Sequence, residues 1–148
     1  MDNTLLILNA GSSSLKFAVY EADAAGTLQA GYRGVFEEIG RHGRFQVFHA
    51  PDADGLTDQA VAAADHEEAL QRLLDWLETR HRGLEFRAAG HRVVHGGADY
   101  SRPVRVDEEI LAALERLVPL SPLHQSRNLG GIRALARLRP QLPQIACF

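Results

Sequence analysis

Residues 4–16 read TLLILNAGSSSLK. The short apolar, partly β-branched run 4–9 is broken by Ala10-Gly11-Ser12-Ser13, and residues 15–20 then alternate apolar with other side chains. This predicts a β-hairpin with a glycine and three serines in its bend, an amide (Asn9) before it and an ammonium (Lys16) after it. Working outward, residues 28–36 follow a turn signal at Gly26 and read as a third strand, and Arg44–His49 as a short fourth. Residues 50–64, rich in Pro, Asp, Gly and Ala, read as a loop. Asp65 stands where an N-cap belongs, Glu68 follows three residues on, and Leu70, Leu73, Leu74 and Leu77 recur at helical spacing, which predicts a helix over His66–Arg80. Residues 86–94 return to a strand pattern. Asp107 then caps a second helix with the apolar face Ile110, Leu111, Leu114, Leu117 and Val118, ended by Pro119 and Pro122. A third helix is predicted over residues 127–138, although Gly130 and Gly131 weaken it by about 1 kcal/mol each relative to alanine. Pro140 closes it, and residues 142–148 read as a last strand. Hairpins first, then helices alternating with strands, predict an α/β fold: a mixed sheet, antiparallel and then parallel, covered by helices.

The chain has 148 residues, enough for one domain with a real core, and 45% hydrophobic with 24% charged residues is ordinary for a globular protein. A net charge of -3 with scattered basic residues argues against nucleic acid as a partner. Cys147 is the single cysteine, which excludes an intrachain disulfide. Met1-Asp2-Asn3 lacks the basic start and apolar run of a signal peptide, and no apolar stretch approaches the roughly 20 residues that span a bilayer. A cytoplasmic protein without a membrane partner is expected. The closing residues Ile145-Ala146-Cys147-Phe148 are apolar and strand-like with no polar flank, which raises the expectation of a truncated chain.

Three clusters carry candidate chemistry. In the first, Asn9 to Lys16, Gly11 lets the backbone turn so that N–H groups converge, Ser12, Ser13 and Ser14 add donors, Lys16 neutralises charge, and the Asn9 amide oxygen suits hydrated magnesium. It is no Walker A loop, because the spacing differs and a strand follows the glycine. The same residues also make an ordinary serine-rich hairpin turn. The second cluster, GHRVVHGG over residues 90–97, carries Arg92 toward the end of a strand, where it can fork onto a carboxylate or phosphoryl group or form a structural salt bridge. His91 and His95 share the i, i+4 spacing of zinc ligands, but no acidic partner lies between them and the segment is strand-like; a packing or supporting role fits better. The third, PLSPLH over residues 119–124, predicts a rigid loop presenting Leu123 and His124. His124 can hydrogen-bond an acyl or phosphoryl oxygen and Leu123 can wall an apolar pocket with Val94; a plain helix-to-helix turn is the alternative.

In order and spacing the blocks LILNAGSSSLKF, AGHRVVHGG and PLSPLHQSRNLGGI resemble the N-terminal signature of the acetate kinase family, over essentially the whole chain. The order of elements is likewise similar to the ribonuclease H-like half-domain of the superfamily of acetate and sugar kinases, Hsp70 and actin. The resemblance implies reversible magnesium-dependent phosphoryl transfer from ATP to acetate, giving acetyl phosphate and ADP. It implies that Asn9 binds magnesium, that Lys16 with the Gly11–Ser14 bend assists at nucleotide phosphates, and that Arg92 and His124 serve the carboxylate and the transferring phosphoryl group. Val94 and Leu123 are implied in the pocket for the acetate methyl. Gln125-Ser126-Arg127 departs from the Asn-Pro-Ala more usual after the histidine, which bears on local loop shape and pocket access. In the family the last strand runs into an Asp-Thr-Ala-Phe-His segment with a catalytic aspartate, and this chain ends one residue before it. A second domain, with the adenosine pocket and most of a homodimer contact, is implied to lie beyond. A propionate, butyrate or other short-chain acyl kinase, and a non-catalytic nucleotide-binding module of the same superfamily, are the rival readings.

Overall fold

The structure is a computed structural model and describes residues 3–148. Eight strands form one sheet: β1 (Thr4–Ala10), β2 (Leu15–Ala22), β3 (Leu28–Glu37), β4 (Arg44–His49), β5 (Gly55–Ala60), β6 (Phe86–Arg92), β7 (Val104–Arg105) and β8 (Gln144–Cys147). Their order is β5-β4-β3-β2-β1-β6-β8-β7. The hairpin half, β1 to β5, is antiparallel; β6 joins β1 in parallel, β8 joins β6 in parallel, and β7 closes the edge antiparallel to β8. The helices are α1 (His66–Arg80), α2 (Glu108–Glu115) and α3 (Pro122–Leu138), with a 3-10 turn at Val118–Leu120. The mixed sheet with an antiparallel and a parallel half is the fold class that the alternation pattern implies.

Strand alternation decides which face is covered. Leu6, Leu8, Ala10, Leu15, Phe17, Val19 and Ala89 are buried and form one core with Leu70, Leu73, Leu74 and Leu77 of α1 and Leu135 of α3. A second cluster joins Val93, Leu129, Ile132 and Ala146 to Leu114 of α2. On the opposite face Ile7 is 37% exposed. Both caps lie where the sequence puts them. Asp65 accepts from the Glu68 N–H at 2.8 Å while the Glu68 carboxylate accepts from the Ala64 N–H at 2.8 Å, and Asp107 accepts from the Ile110 N–H at 2.8 Å.

Three expectations need correction. The stretch 50–64 is not all loop, because β5 lies within it. Its exposed, polar GLTDQA lacks alternation, and it is held by the Arg44 guanidinium, which donates to both Asp58 oxygens at 2.9 and 2.8 Å, and by Trp76 Nε1, which donates to Thr57 Oγ1 at 3.2 Å. Such polarity is normal for an edge strand. The third helix starts at Pro122, not at residue 127: a proline in the first turn sacrifices an N–H that has no partner there anyway, so Pro122 opens a helix instead of ending one. The two-residue β7 is not in the sequence pattern, and β6 stops at Arg92, two residues early: the Val93 N–H still donates to the Cys147 carbonyl at 2.8 Å as the last rung toward β8, and the Val94 N–H then turns to the Asn128 side chain.

The two glycines inside α3 differ. A Cβ on Gly131 would lie 3.3 Å from the Ala10 Cβ, so this glycine lets the helix settle directly on β1, whereas a Cβ on Gly130 would meet nothing within 4 Å. Gly130→Ala is therefore expected to raise stability by about 0.5–1 kcal/mol through helix propensity and a less disordered unfolded chain. Gly131→Ala should fall at least about 1 kcal/mol short of it, because the gain is offset by crowding. Urea midpoints of the two variants check this; equal midpoints would refute the packing role of Gly131.

Candidate active site

Sheet register brings the first residues together. Asn9 and Lys16 are cross-strand partners between β1 and β2, and they alternate with the buried Leu8, Ala10, Leu15 and Phe17, so both side chains leave the sheet on its less covered face. Arg92 ends β6 between the buried His91 and Val93 and emerges on that face too. Beyond the strand ends, Asn9, Ala10, Gly11, Ser14, Lys16, Arg92, Val94, His124 and Asn128 line one cleft of about 340 Å³. It lies at the carboxyl ends of β1 and β6, where α/β sheets place their ligands. A larger, more apolar cavity of about 410 Å³ lies between α1 and the connection from α3 to β8, lined by Leu77, Phe86 and Leu138 among others, and holds none of these residues.

Of the residues singled out in the sequence, the cleft collects Asn9, Gly11, Ser14, Lys16, Arg92, Val94 and His124. Ser12 and Ser13 are exposed outside it, and Ser13 shares with Ser14 a neighbouring depression walled by Glu37, Glu38 and Arg44. Leu123 is 66% exposed and does not line it. His124 stands in the first turn of α3, not on a loop as expected, for the reason given for Pro122. Among the described residues, neither Lys16 nor Arg92 has a carboxylate within ion-pair distance. Among the described residues the structural salt bridge considered for Arg92 is not formed, and two cations face the cleft without a carboxylate partner.

The hairpin bend has a defined polarity. The Gly11 N–H donates to the Ser14 carbonyl at 2.8 Å and the Ile39 N–H to the Ser13 carbonyl at 2.9 Å. His66, in the first turn of α1, brings Nε2 to 2.7 Å from the Gly11 carbonyl and 3.1 Å from the Ser14 carbonyl; two acceptors require that Nε2 carry the proton. The carbonyls of Gly11, Ser13 and Ser14 are thus engaged inward, while the N–H groups of Ser12, Ser13 and Ser14 meet no acceptor among the described residues. A bend with free N–H groups and engaged carbonyls suits an anion. A Cβ on Gly11 would lie 2.7 Å from Ser14 Oγ, so a larger residue here would make the Ser14 hydroxyl turn away.

Sequence reasoning missed three residues. His66 follows an N-cap and carries no pattern of its own. Asn128 is 7% exposed and bridges the Val94 N–H to the Ala10 carbonyl; the signal was an amide four residues after His124, hence on the same helix face. Gln125, in the segment that departs from the family pattern, is fully buried and donates through Nε2 to the carbonyls of His95 and Leu114 at 3.2 Å each. The departure leaves α3 continuous.

A mixed sheet with one cleft of unpaired cations, a free N–H bend and a short apolar wall defines an α/β protein shaped for a small anionic ligand. The profile of the Acetokinase family matches residues 4–148, and the chain belongs to that family. It is 42% identical to an acetate kinase of Rhodopseudomonas palustris, covering 100% of this chain and 37% of the relative. Among solved structures it is similar to Porphyromonas gingivalis acetate kinase (TM-score 0.87, 30% identity, 99% of this chain and 37% of that one). It is also similar to a propionate kinase of Francisella tularensis (TM-score 0.85, 29% identity, 100% and 37%). The chain therefore spans 37% of the length of these relatives.

Two histidines flank Arg92 without entering the cleft. His95 Nδ1 accepts from the Gly97 N–H at 3.1 Å, and His91 Nε2 lies 2.6 Å from Gln144 Oε1, the acceptor that fixes its tautomer. Burial pushes the His91 imidazole down to about 4 from its ordinary 6.5, although the bond to Gln144 opposes the shift. The folded protein then binds fewer protons here than the unfolded chain, so this residue's contribution is intact above pH 6.5 and is lost as pH falls toward 4. The loss is on the order of 3 kcal/mol. Urea midpoints between pH 4.5 and 7.5 should fall more steeply on acidification in the parent than in His91→Gln, which keeps a hydrogen bond to Gln144 without a titrating group. Parallel curves would show that His91 does not titrate as assigned.

Proposed function

We propose that this chain is the N-terminal ribonuclease H-like lobe of an acetate kinase. Completed by the rest of such an enzyme, it takes part in reversible phosphoryl transfer from ATP to acetate, giving acetyl phosphate and ADP. The observation that carries this reading is the single cleft in which Lys16 and Arg92, both without ion-pair partners, meet His124, Asn9 and the apolar Val94 in a chain of the Acetokinase family. A site that only grips nucleotide has no use for an arginine beside a small apolar wall. A cytoplasmic location and a homodimer formed outside this lobe belong to the same reading, and no helix among the described residues is long and apolar enough to cross a membrane.

The roles follow from chemistry. Arg92 presents a planar fork that matches a carboxylate or the equatorial oxygens of a phosphoryl group. His124 donates a hydrogen bond to the same oxygens, and the positive end of α3 adds to it, since its Ser121 cap makes no side-chain bond. Lys16 and the Gly11–Ser14 bend, with Ser12 and Ser13 at its tip, hold nucleotide phosphates. Val94 walls the acetate methyl; Leu123, next to His124, is assigned to that wall by the resemblance, in the assembled enzyme. The chain's residues fit magnesium of one kind only. No cluster of three or more His, Cys, Asp or Glu exists among the described residues, and Asn9 offers one neutral oxygen in the cleft, the donor expected where a cation keeps its waters and rests on substrate phosphates. When bound there, magnesium neutralises charge on the phosphates. Direct in-line transfer then asks the protein for position and charge neutralisation, with no covalent intermediate.

Propionate is the second substrate to weigh, because one structural neighbour is a propionate kinase and one methylene is worth only about 1–3 kcal/mol of discrimination.

Both readings are testable in a chimera of residues 1–148 with the remaining portion of the Rhodopseudomonas palustris enzyme, the 148-residue chain alone serving as the zero-turnover control. Arg92→Ala should cut kcat/KM for acetate about a hundredfold or more, roughly 3 kcal/mol, and Arg92→Lys should restore little of it. Activity within threefold of the parent would remove Arg92 from the site, and full rescue by lysine would reduce its role to charge steering. Val94→Ala should move the preference from acetate toward propionate by about tenfold in competing-substrate kinetics. An unchanged ratio would take Val94 out of the methyl pocket.

A further inference from the structure

We propose that Asn128 is a positioning residue whose carboxamide stands in for a peptide unit between the parting ends of β1 and β6, fixing the Arg92–Val94 segment against the Asn9–Lys16 hairpin. The two strands run parallel and pair as far as Leu8 and His91. Past that point the Ala10 carbonyl and the Val94 N–H lie at the base of the cleft, where unpaired backbone groups are costly. Asn128 serves both: Oδ1 accepts from the Val94 N–H at 2.9 Å, and Nδ2 donates to the Ala10 carbonyl at 3.1 Å. A carboxamide has the donor and acceptor of a peptide group, so it continues the ladder where the strands have separated. Its orientation is fixed by its partners, because a flipped amide would set oxygen against carbonyl and NH₂ against N–H.

The placement is built in. Gly131 seats α3 on β1 at Ala10, which brings a side chain as short as asparagine within reach of the Ala10 carbonyl. Three residues before Asn128, Gln125 holds the His95 carbonyl. Two carboxamides of one helix therefore grip consecutive residues of the segment that follows Arg92, one by its N–H and one by its C=O. Phosphoryl transfer requires the facing groups within about half an ångström of the productive arrangement, and Arg92 and Val94 hang on this segment while Asn9 and Gly11 hang on the other. The catalytic half of the inference rests on the reaction proposed above; the bridging half stands on the geometry alone.

Two variants separate the roles. Asn128→Leu keeps nearly the same volume and removes both hydrogen bonds; Asn128→Asp keeps the acceptor for Val94 and sets a carboxylate oxygen against the Ala10 carbonyl. In the 148-residue chain, amide hydrogen exchange followed by NMR should show Val94 exchanging at least about tenfold faster in Asn128→Leu. In Asn128→Asp, Val94 should stay protected while the Gly11 and Lys16 amide signals move. In the chimera both variants should lose about tenfold or more in kcat with a much smaller change in the acetate KM, measured well below their melting temperatures. Unchanged Val94 exchange in Asn128→Leu would overturn the bridge. Lost protection with an intact kcat would overturn the positioning role and leave a purely structural one. If Asn128→Leu does not fold, Asn128→Asp still decides, through opposite expectations for Val94 and the hairpin. A parent chimera without turnover would defeat the proposed reaction and the catalytic half with it, while the exchange data would still confirm or refute the bridge.

Discussion

The close seating of α3 on β1 is the contact on which the cleft depends. Where Gly131 meets Ala10, a further methyl group would lie 3.3 Å from the Ala10 Cβ, closer than ordinary packing. From that contact the helix projects Asn128 into the gap between β1 and β6 and places His124, one turn earlier, at the cleft rim. The same helix buries Leu129, Ile132 and Leu135, so the energy that holds the polar groups in place is supplied by an apolar stripe directly beneath them. A site mounted on a packed helix and two strand ends is held more tightly than one mounted on loops.

Five arginines pair with carboxylates among the described residues: Arg44 with Asp58, Arg72 with Glu68, Arg133 with Glu115, Arg137 with Glu67 and Arg139 with Glu78. Lys16 and Arg92 have no such neighbour among the described residues and share one cleft. Two cations lining one cleft give it a positive potential that favours an anion. The bend beside them adds free N–H groups, kept outward because His66 and Ile39 engage the carbonyls. Charge and backbone polarity therefore agree.

How much of this is legible in the sequence depends on whether a feature is local. The helix His66–Arg80 was readable because its cap, its acidic first turn and its leucine spacing all lie within the segment itself. The β1–β2 hairpin was readable for the same reason. The strand β5 was not, because its polar residues are held by Arg44 and Trp76 from other elements. Pro122 was ambiguous, since proline both stops one helix and opens the next, and the choice changes His124 from a loop residue to a helical one. The cleft residues were found by type and by family blocks. Asn128, Gln125 and His66 were not, because their partners are backbone groups 34 to 118, 11 to 30 and 52 to 55 residues away.

Those long separations explain why the lobe joins its two halves where it does. The antiparallel half, β1 to β5, is built from sequential pairings, and the parallel half must wait for α1 and α3 to bring β6 and β8 alongside β1. Asn128 joins the two halves, while His66 and Gln125 each tie a helix to one of them. His66 reaches from the first helix back to the hairpin, Asn128 from the third helix to both β1 and the segment after β6, and Gln125 from the third helix to that same segment and to α2. The Asn128 bridge needs both sheet halves in place, so the cleft has its full set of contacts only in the joined sheet. A cleft built in this way is sensitive to anything that shifts α3 on the sheet, because the same helix carries His124 at the cleft rim and Asn128 at the junction of β1 with the segment after β6.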